Sequence, residues 1–228
     1  MFWGLPFFMG PSILILLPAL MFAIYAQYKV KSTYSRYSRV TTANGITAEL
    51  AAQKIIEAAR VQQVSIGKAR GKLSDHYDPK KKVLRLSDPS SRSVAAVGVA
   101  AHEAGHAIQH SRGYRPLALR TAIVPLANIG SQLAFPLFFV GILFRYEALI
   151  TVGILAFSLA VLFTLVTLPV EFDASRRAVA ALRSTVLVNE EELGAVKEVL
   201  FAAALTYVAA AAMAALQLLM LLSLNRRR

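Results

Sequence analysis

The sequence predicts a mainly α-helical membrane protein with about four transmembrane helices and a small α+β portion between the first and second. Three observations lead there. The composition is 56% hydrophobic over 228 residues with a mean hydropathy of +0.52, high for a soluble chain. Four long apolar stretches punctuate it. The charge is concentrated between them, since 17 of the 25 Lys and Arg fall within residues 29–120. A formal charge of +12 suits a nucleic-acid binder, because basic chains neutralise phosphates. An excess confined to one stretch flanked by apolar runs is instead what orients a membrane protein. Membrane lipids, not nucleic acid, are therefore the expected partners. The chain has no cysteine, which excludes disulfides, thiolate metal sites and a cysteine nucleophile, so any metal must be held by nitrogen and oxygen.

Residues 2–28 carry no charged side chain and exceed the ~20 residues needed to cross a bilayer. They predict a retained first anchor rather than a cleaved signal, since a basic start and a small-residue cleavage site are both lacking. Pro6, Pro11 and Pro18 should bend or delay that helix. The basic and aromatic "KVKSTYSRYSRV" fits a membrane surface. In "GITAELAAQKIIEAAR", Ala48, Ala51, Ala52, Ile55, Ile56 and Ala59 recur at helical spacing behind Thr47 as N-cap. "VQQVSI" and "KKVLRLS" read as short strands, the second alternating Val83 and Arg85 with Leu84 and Leu86. Ser91 or Ser93 can cap a helix from Val94 to Ser111 that ends near Gly113 and Pro116.

Residues 117–144 and 148–170 are apolar and separated by "RYE", which predicts a transmembrane hairpin. Pro125, Asn128, Gln132 and Pro136 in its first arm point to packing against protein as well as lipid. "EFDASRRAVAALR" then reads as a separate amphipathic helix. Asn189 with Glu192 forms a capping box, and Val188 with Leu193 its staple, at the start of a last helix. That helix continues into a fourth apolar span whose small residues permit helix association without requiring it. The chain thus divides into a transmembrane anchor (1–28), a cytoplasmic portion (29–116), the hairpin (117–170), cytoplasmic helices (171–199) and a last transmembrane helix with a basic tail (200–228). An outside N-terminus places 21 basic residues of 29–120 and 171–197 in the cytoplasm. Four spans would put the "NRRR" tail outside, against the same bias.

The stretch "AAHEAGHAIQH" carries the chemistry. A separation of four residues turns about 40° past one helical turn and rises about 6 Å, so His102 and His106 leave one face and can share an ion. Glu103 lies roughly 100° round, poor as a third ligand but well placed as a general base. A surface or core histidine pair is the plainer reading, but H-E-x-x-H on a helix is uncommon by chance. A continuation with glycine at 109 and histidine at 112 would complete a three-histidine site; the chain has Gln109 and Arg112 instead. His110 stands two turns from His102, too far to share one ion with both other histidines on a straight helix. A carboxylate from a second helix is the remaining option. Two spans separate Pro116 from Glu171, so the chain returns there to the side of His102. Glu171 and Asp173 both qualify, and the longer arm of Glu171 favours it, although an acid at a helix start can serve the dipole alone.

Together "AAHEAGHAIQH", the upstream "LSDHYDPKKKVLRLS" and the downstream "LPVEFDASRRA" resemble the YugP-type membrane-bound neutral zinc metallopeptidases, over nearly the whole chain. More distantly the pattern is similar to the HtpX and CAAX prenyl proteases, in which an E-x-x-x-D motif supplies the third ligand. The resemblance implies a multi-pass bacterial membrane protein with a zincin-like catalytic portion and one Zn2+ per chain. Its gluzincin-like ligand set falls on His102, His106 and Glu171. The motif aspartate falls on Ser175, a departure that leaves the support of a ligand histidine weaker or supplied from elsewhere.

The expected activity is hydrolysis of a peptide or membrane-protein substrate on the cytoplasmic side, with Glu103 as base. His76, Tyr77 and Tyr114 are candidate donors to the carbonyl oxygen. "DHYDP" reads equally well as a turn whose aspartates bond the backbone. If the strand "KKVLRLS" is a free sheet edge, an extended peptide can add to it. A zinc-tied scaffold without catalysis is the rival class. A transport protein is disfavoured by the scarcity of ionisable residues in the spans.

Overall fold

The computed structural model describes residues 14–71 and 73–226. Residues 1–13 of the first predicted anchor, including Pro6 and Pro11, lie outside the described residues. In chain order the elements are α1 (Leu17–Tyr37), α2 (Ala48–Ala58), β1 (Ser65–Lys68), β2 (His76–Asp78), β3 (Val83–Leu86), α3 (Val94–Ser111), α4 (Arg115–Leu143), α5 (Glu147–Ser184) and α6 (Glu190–Arg226). Pro18 sits in the first turn of α1, where its missing N–H costs no helical bond. Among the described helices α4, α5 and α6 are long and apolar enough to cross a membrane. The described residues form two compact units, one of residues 14–27, 119–168 and 206–226, the other of residues 28–71, 73–118 and 169–205.

In the second unit α2 and α3 pack together as their sequence periodicity requires. Ala48, Ala51, Ala52, Ile55 and Ile56 of α2 are buried, and the Thr47 hydroxyl accepts from Leu50 N at 3.2 Å. Ser93 caps α3 by accepting from Ala96 N at 3.2 Å, and Gly113 follows that helix with φ +61°, which a side chain would resist. Leu84 and Leu86 of β3 are fully buried in the same core as Val94, Val97, Ala178, Leu182 and Val196. The capping box closes both ways, Asn189 N donating to Glu192 Oε2 at 2.9 Å and Glu192 N to Asn189 Oδ1 at 2.8 Å, with Val188 and Leu193 buried beside it. Tyr37 at the end of α1 donates to Glu198 of α6 at 2.8 Å.

Two expectations are corrected. The strand "KKVLRLS" is no free edge, because the sheet order is β1-β3-β2, with β1 parallel and β2 antiparallel to β3. Each outer strand uses one side of β3, so the open edges belong to β1 and β2. "EFDASRRAVAALR" is not a separate helix but the continuation of α5, which runs 38 residues through Pro169. Proline removes one i→i−4 bond and keeps a helical φ, which a long helix with intact bonds on both sides absorbs.

The other unit contains a cluster of Ala134, Phe138, Ile150, Phe157, Val161 and Leu221. Glycines set how closely α4 and α5 approach there. A Cβ on Gly130 would stand 2.6 Å from Ala156 O, and one on Gly153 2.8 Å from Ala134 O. Small residues serve membrane helices in this way, letting backbones meet where lipid offers no hydrophobic drive.

Candidate metal centre

The centre is built where α5 crosses α3. Gly105 makes that crossing possible, since a Cβ there would stand 2.5 Å from Ala174 O and 3.1 Å from its carbonyl carbon. Backbone cannot yield as a side-chain tip can. Gly105→Ala is therefore expected to destabilise the chain by about 1–3 kcal/mol, seen as a lower melting temperature by circular dichroism in detergent. Unchanged melting would mean that the crossing is looser than this contact implies.

Flanking Ala174 on α5, Glu171 and Ser175 are one turn apart and face the histidines. Glu171 Oε2 lies 3.1 Å from His102 Nε2 and 3.7 Å from His106 Nε2. The imidazole rings stand nearly perpendicular with centroids 4.7 Å apart. One ligand atom from each of His102, His106 and Glu171 lies within 4.8 Å of the others. Both far nitrogens are also occupied. His102 Nδ1 is 3.1 Å from Ser175 Oγ, and His106 Nδ1 is 3.0 Å from Gln109 Oε1. Gln109 Nε2 donates in turn to Val170 O at 2.8 Å and to Asp173 Oδ2 at 2.9 Å. Arg176 and Arg177 hold the Asp173 carboxylate, which faces Gln109 rather than the cluster.

Electrostatics ties the group together. Burial works against a charged His106, but the hydrogen bond to Glu171 and the negative charges of Glu103 and Glu171 outweigh it and raise the pKa. Burial likewise works against ionised Glu171, yet the two histidines hold its carboxyl well below the usual carboxylate range. Glu103 is 8% exposed and points from the next position round α3.

The donor set fits zinc. Two imidazole nitrogens and a carboxylate oxygen are zinc ligands, and tetrahedral ligands ~2.0–2.1 Å from the ion stand ~3.4 Å apart. The separations of 3.1 and 3.7 Å from Glu171 to the two histidines bracket that value. Partners on the far side of each ring are the usual support of metal-binding histidines.

Of the other sequence candidates, His76 is exposed, and its Nδ1 is bound to Ser74 O on the sheet face opposite buried Leu84. Tyr77, next along β2, turns toward α3 and bonds His110 Nδ1 at 2.9 Å. Tyr114 lies under the Arg177 guanidinium, 5.6 Å from its ring centroid. The aspartates of "DHYDP" do bond backbone, Asp78 accepting from Lys80 N and Lys81 N and Asp75 from Ser87 N. Sequence reasoning missed Gln109, which it used only to exclude a three-histidine pattern. Its place one turn after His106, on the same helix face, was the available signal.

A mainly helical chain with three helices long and apolar enough to cross a membrane thus carries two histidines and a glutamate whose ligand atoms lie close enough together to hold one metal ion. The chain belongs to the family described as "Putative neutral zinc metallopeptidase", whose profile matches residues 12–226. It is 44% identical over 209 residues to "Putative membrane protease YugP" of Bacillus subtilis (strain 168), covering 91% of this chain and 93% of that relative. No solved structure matches it.

Proposed function

We propose that the chain is a multi-pass, zinc-dependent membrane endopeptidase that cleaves peptide bonds of unfolded or membrane-protein substrates on the cytoplasmic side. The observation that carries this reading is the convergence of His102, His106 and Glu171, with Glu103 buried on the adjoining position of the same helix. Zinc, when bound, is a Lewis acid that polarises a carbonyl and lowers the pKa of water to about 7. Glu103 accepts a proton from the attacking water as its oxygen bonds to the carbonyl carbon. It returns that proton to the amide nitrogen as the C–N bond breaks. Ser175 and Gln109 hold the two imidazoles in place meanwhile.

A purely structural zinc site needs four protein ligands. Among the described residues the cluster offers three, and Asp173, which a closed site would recruit, is held by Gln109 and two arginines. That favours the enzyme over the scaffold. The open edge of β2, joined to α3 through Tyr77 and His110, is where an extended substrate would add by main-chain hydrogen bonds. The cytoplasmic assignment rests on the basic residues of 29–120.

The test is a cleavage assay of the detergent-purified full chain on a fluorescently labelled unfolded polypeptide. Activity should disappear with a zinc chelator and return when zinc is restored. A zinc-loaded chain that cuts neither unfolded nor membrane-protein substrates would sink the proposal.

A further inference from the structure

We propose that Gln109 and Asp173 form a positioning pair that fixes which nitrogen of His106 is offered to the metal; this rests on the metal-site reading above. Gln109 is fully buried, and its side-chain nitrogen faces two acceptors, Val170 O and the Asp173 carboxylate. An amide nitrogen has two hydrogens, and both are used. Turning the amide over would set its oxygen against two acceptors, Val170 O and the Asp173 carboxylate, so the orientation is determined. Gln109 Oε1 therefore faces His106 Nδ1. An amide oxygen can only accept, so Nδ1 carries the hydrogen, and in the neutral ring Nε2 holds the lone pair. Nε2 is the atom that faces Glu171.

The other histidine has no such device. Ser175 Oγ can donate or accept, so its contact with His102 Nδ1 leaves that tautomer open. Asp173 supplies the asymmetry at His106, since it can take a hydrogen from Gln109 but, ionised, cannot give one. Arg176 and Arg177 keep it in place, and Arg177 also lies over Tyr114 beyond the end of α3. A ladder runs from Tyr114 through Arg177, Asp173 and Gln109 to His106. Asp173, a candidate ligand by sequence, acts through Gln109 instead, and the Tyr114 ring is the outer rung.

The experiment measures zinc affinity of the detergent-solubilised full chain by competition with a chelator, and the visible absorption of the Co2+-substituted protein. Gln109→Met keeps the length and volume of the side chain but has no oxygen to accept with. It should bind zinc about 10–100-fold more weakly, the usual effect of losing a partner behind a metal-bound histidine, and its Co2+ bands should shift. Gln109→Glu alone sets two carboxylates together and should be as weak or weaker. Adding Asp173→Asn to it replaces the clash by a hydrogen bond from Asn to the new carboxylate and keeps an acceptor toward His106, so the double variant should bind zinc more tightly than Gln109→Glu alone. A side chain that only fills space predicts wild-type affinity in Gln109→Met. Wild-type affinity and Co2+ spectrum in Gln109→Met, or no recovery in the double variant, overturn the positioning role and leave the metal site standing. A wild-type chain that binds no zinc overturns both, so the two failures are told apart.

Discussion

Glu103→Gln should abolish turnover while leaving fold and zinc content unchanged. Glutamine keeps the size and shape of glutamate at a position 8% exposed, so the packing of α3 should persist. What disappears is the proton acceptor. General acid–base groups contribute typically 10²–10⁴-fold to rate, or about 3–5 kcal/mol of barrier. The loss should fall on kcat, because Glu103 is one of neither the three metal donors nor their hydrogen-bond partners. Zinc per chain by elemental analysis, run beside the cleavage assay, separates the outcomes. Full zinc with lost turnover identifies the base. Full zinc with undiminished turnover means that Glu103 does not carry the proton.

The legible part of the site followed from helical geometry. His102, Glu103 and His106 lie within one stretch whose 3.6-residue period sets their directions before any tertiary contact forms. Glu171 is 69 residues from His102, yet counting two spans returns it to the same side. Caps were local as well, and Thr47, Ser93 and the Asn189–Glu192 box are where sequence rules place them. Strand order was not local. Which neighbours flank β3 depends on where the chain returns after "DHYDP", and alternation along a single strand carries no such information. The break expected after Val170 failed similarly, because a change in composition was taken for a change in direction while Pro169 lies within α5. Ser175 reaches His102, and Val170 and Asp173 reach Gln109, through the close approach at Gly105, a property of two helices rather than of one.

Loss of the third ligand is the other large effect expected. Glu171→Ala removes the carboxylate oxygen 3.1 Å from His102 Nε2 and 3.7 Å from His106 Nε2, leaving two neutral imidazoles. Removing even an outer partner of a ligand costs ~10–100-fold in affinity, and a direct charged donor must cost more. The purified variant should therefore carry little zinc and show no activity. Glu171 is 2% exposed, so the alanine also opens a small cavity. Glu171→Gln separates these causes, because it fills the space without the charge and should still bind zinc far more weakly than wild type. Asp173→Ala serves as the control on the same helix. Its carboxylate faces Gln109, Arg176 and Arg177, so that variant should bind zinc more weakly than wild type yet still approach one ion per chain at saturating metal. Zinc lost only with Asp173→Ala would make Asp173 the ligand. Zinc retained by every variant would move the metal away from this cluster altogether.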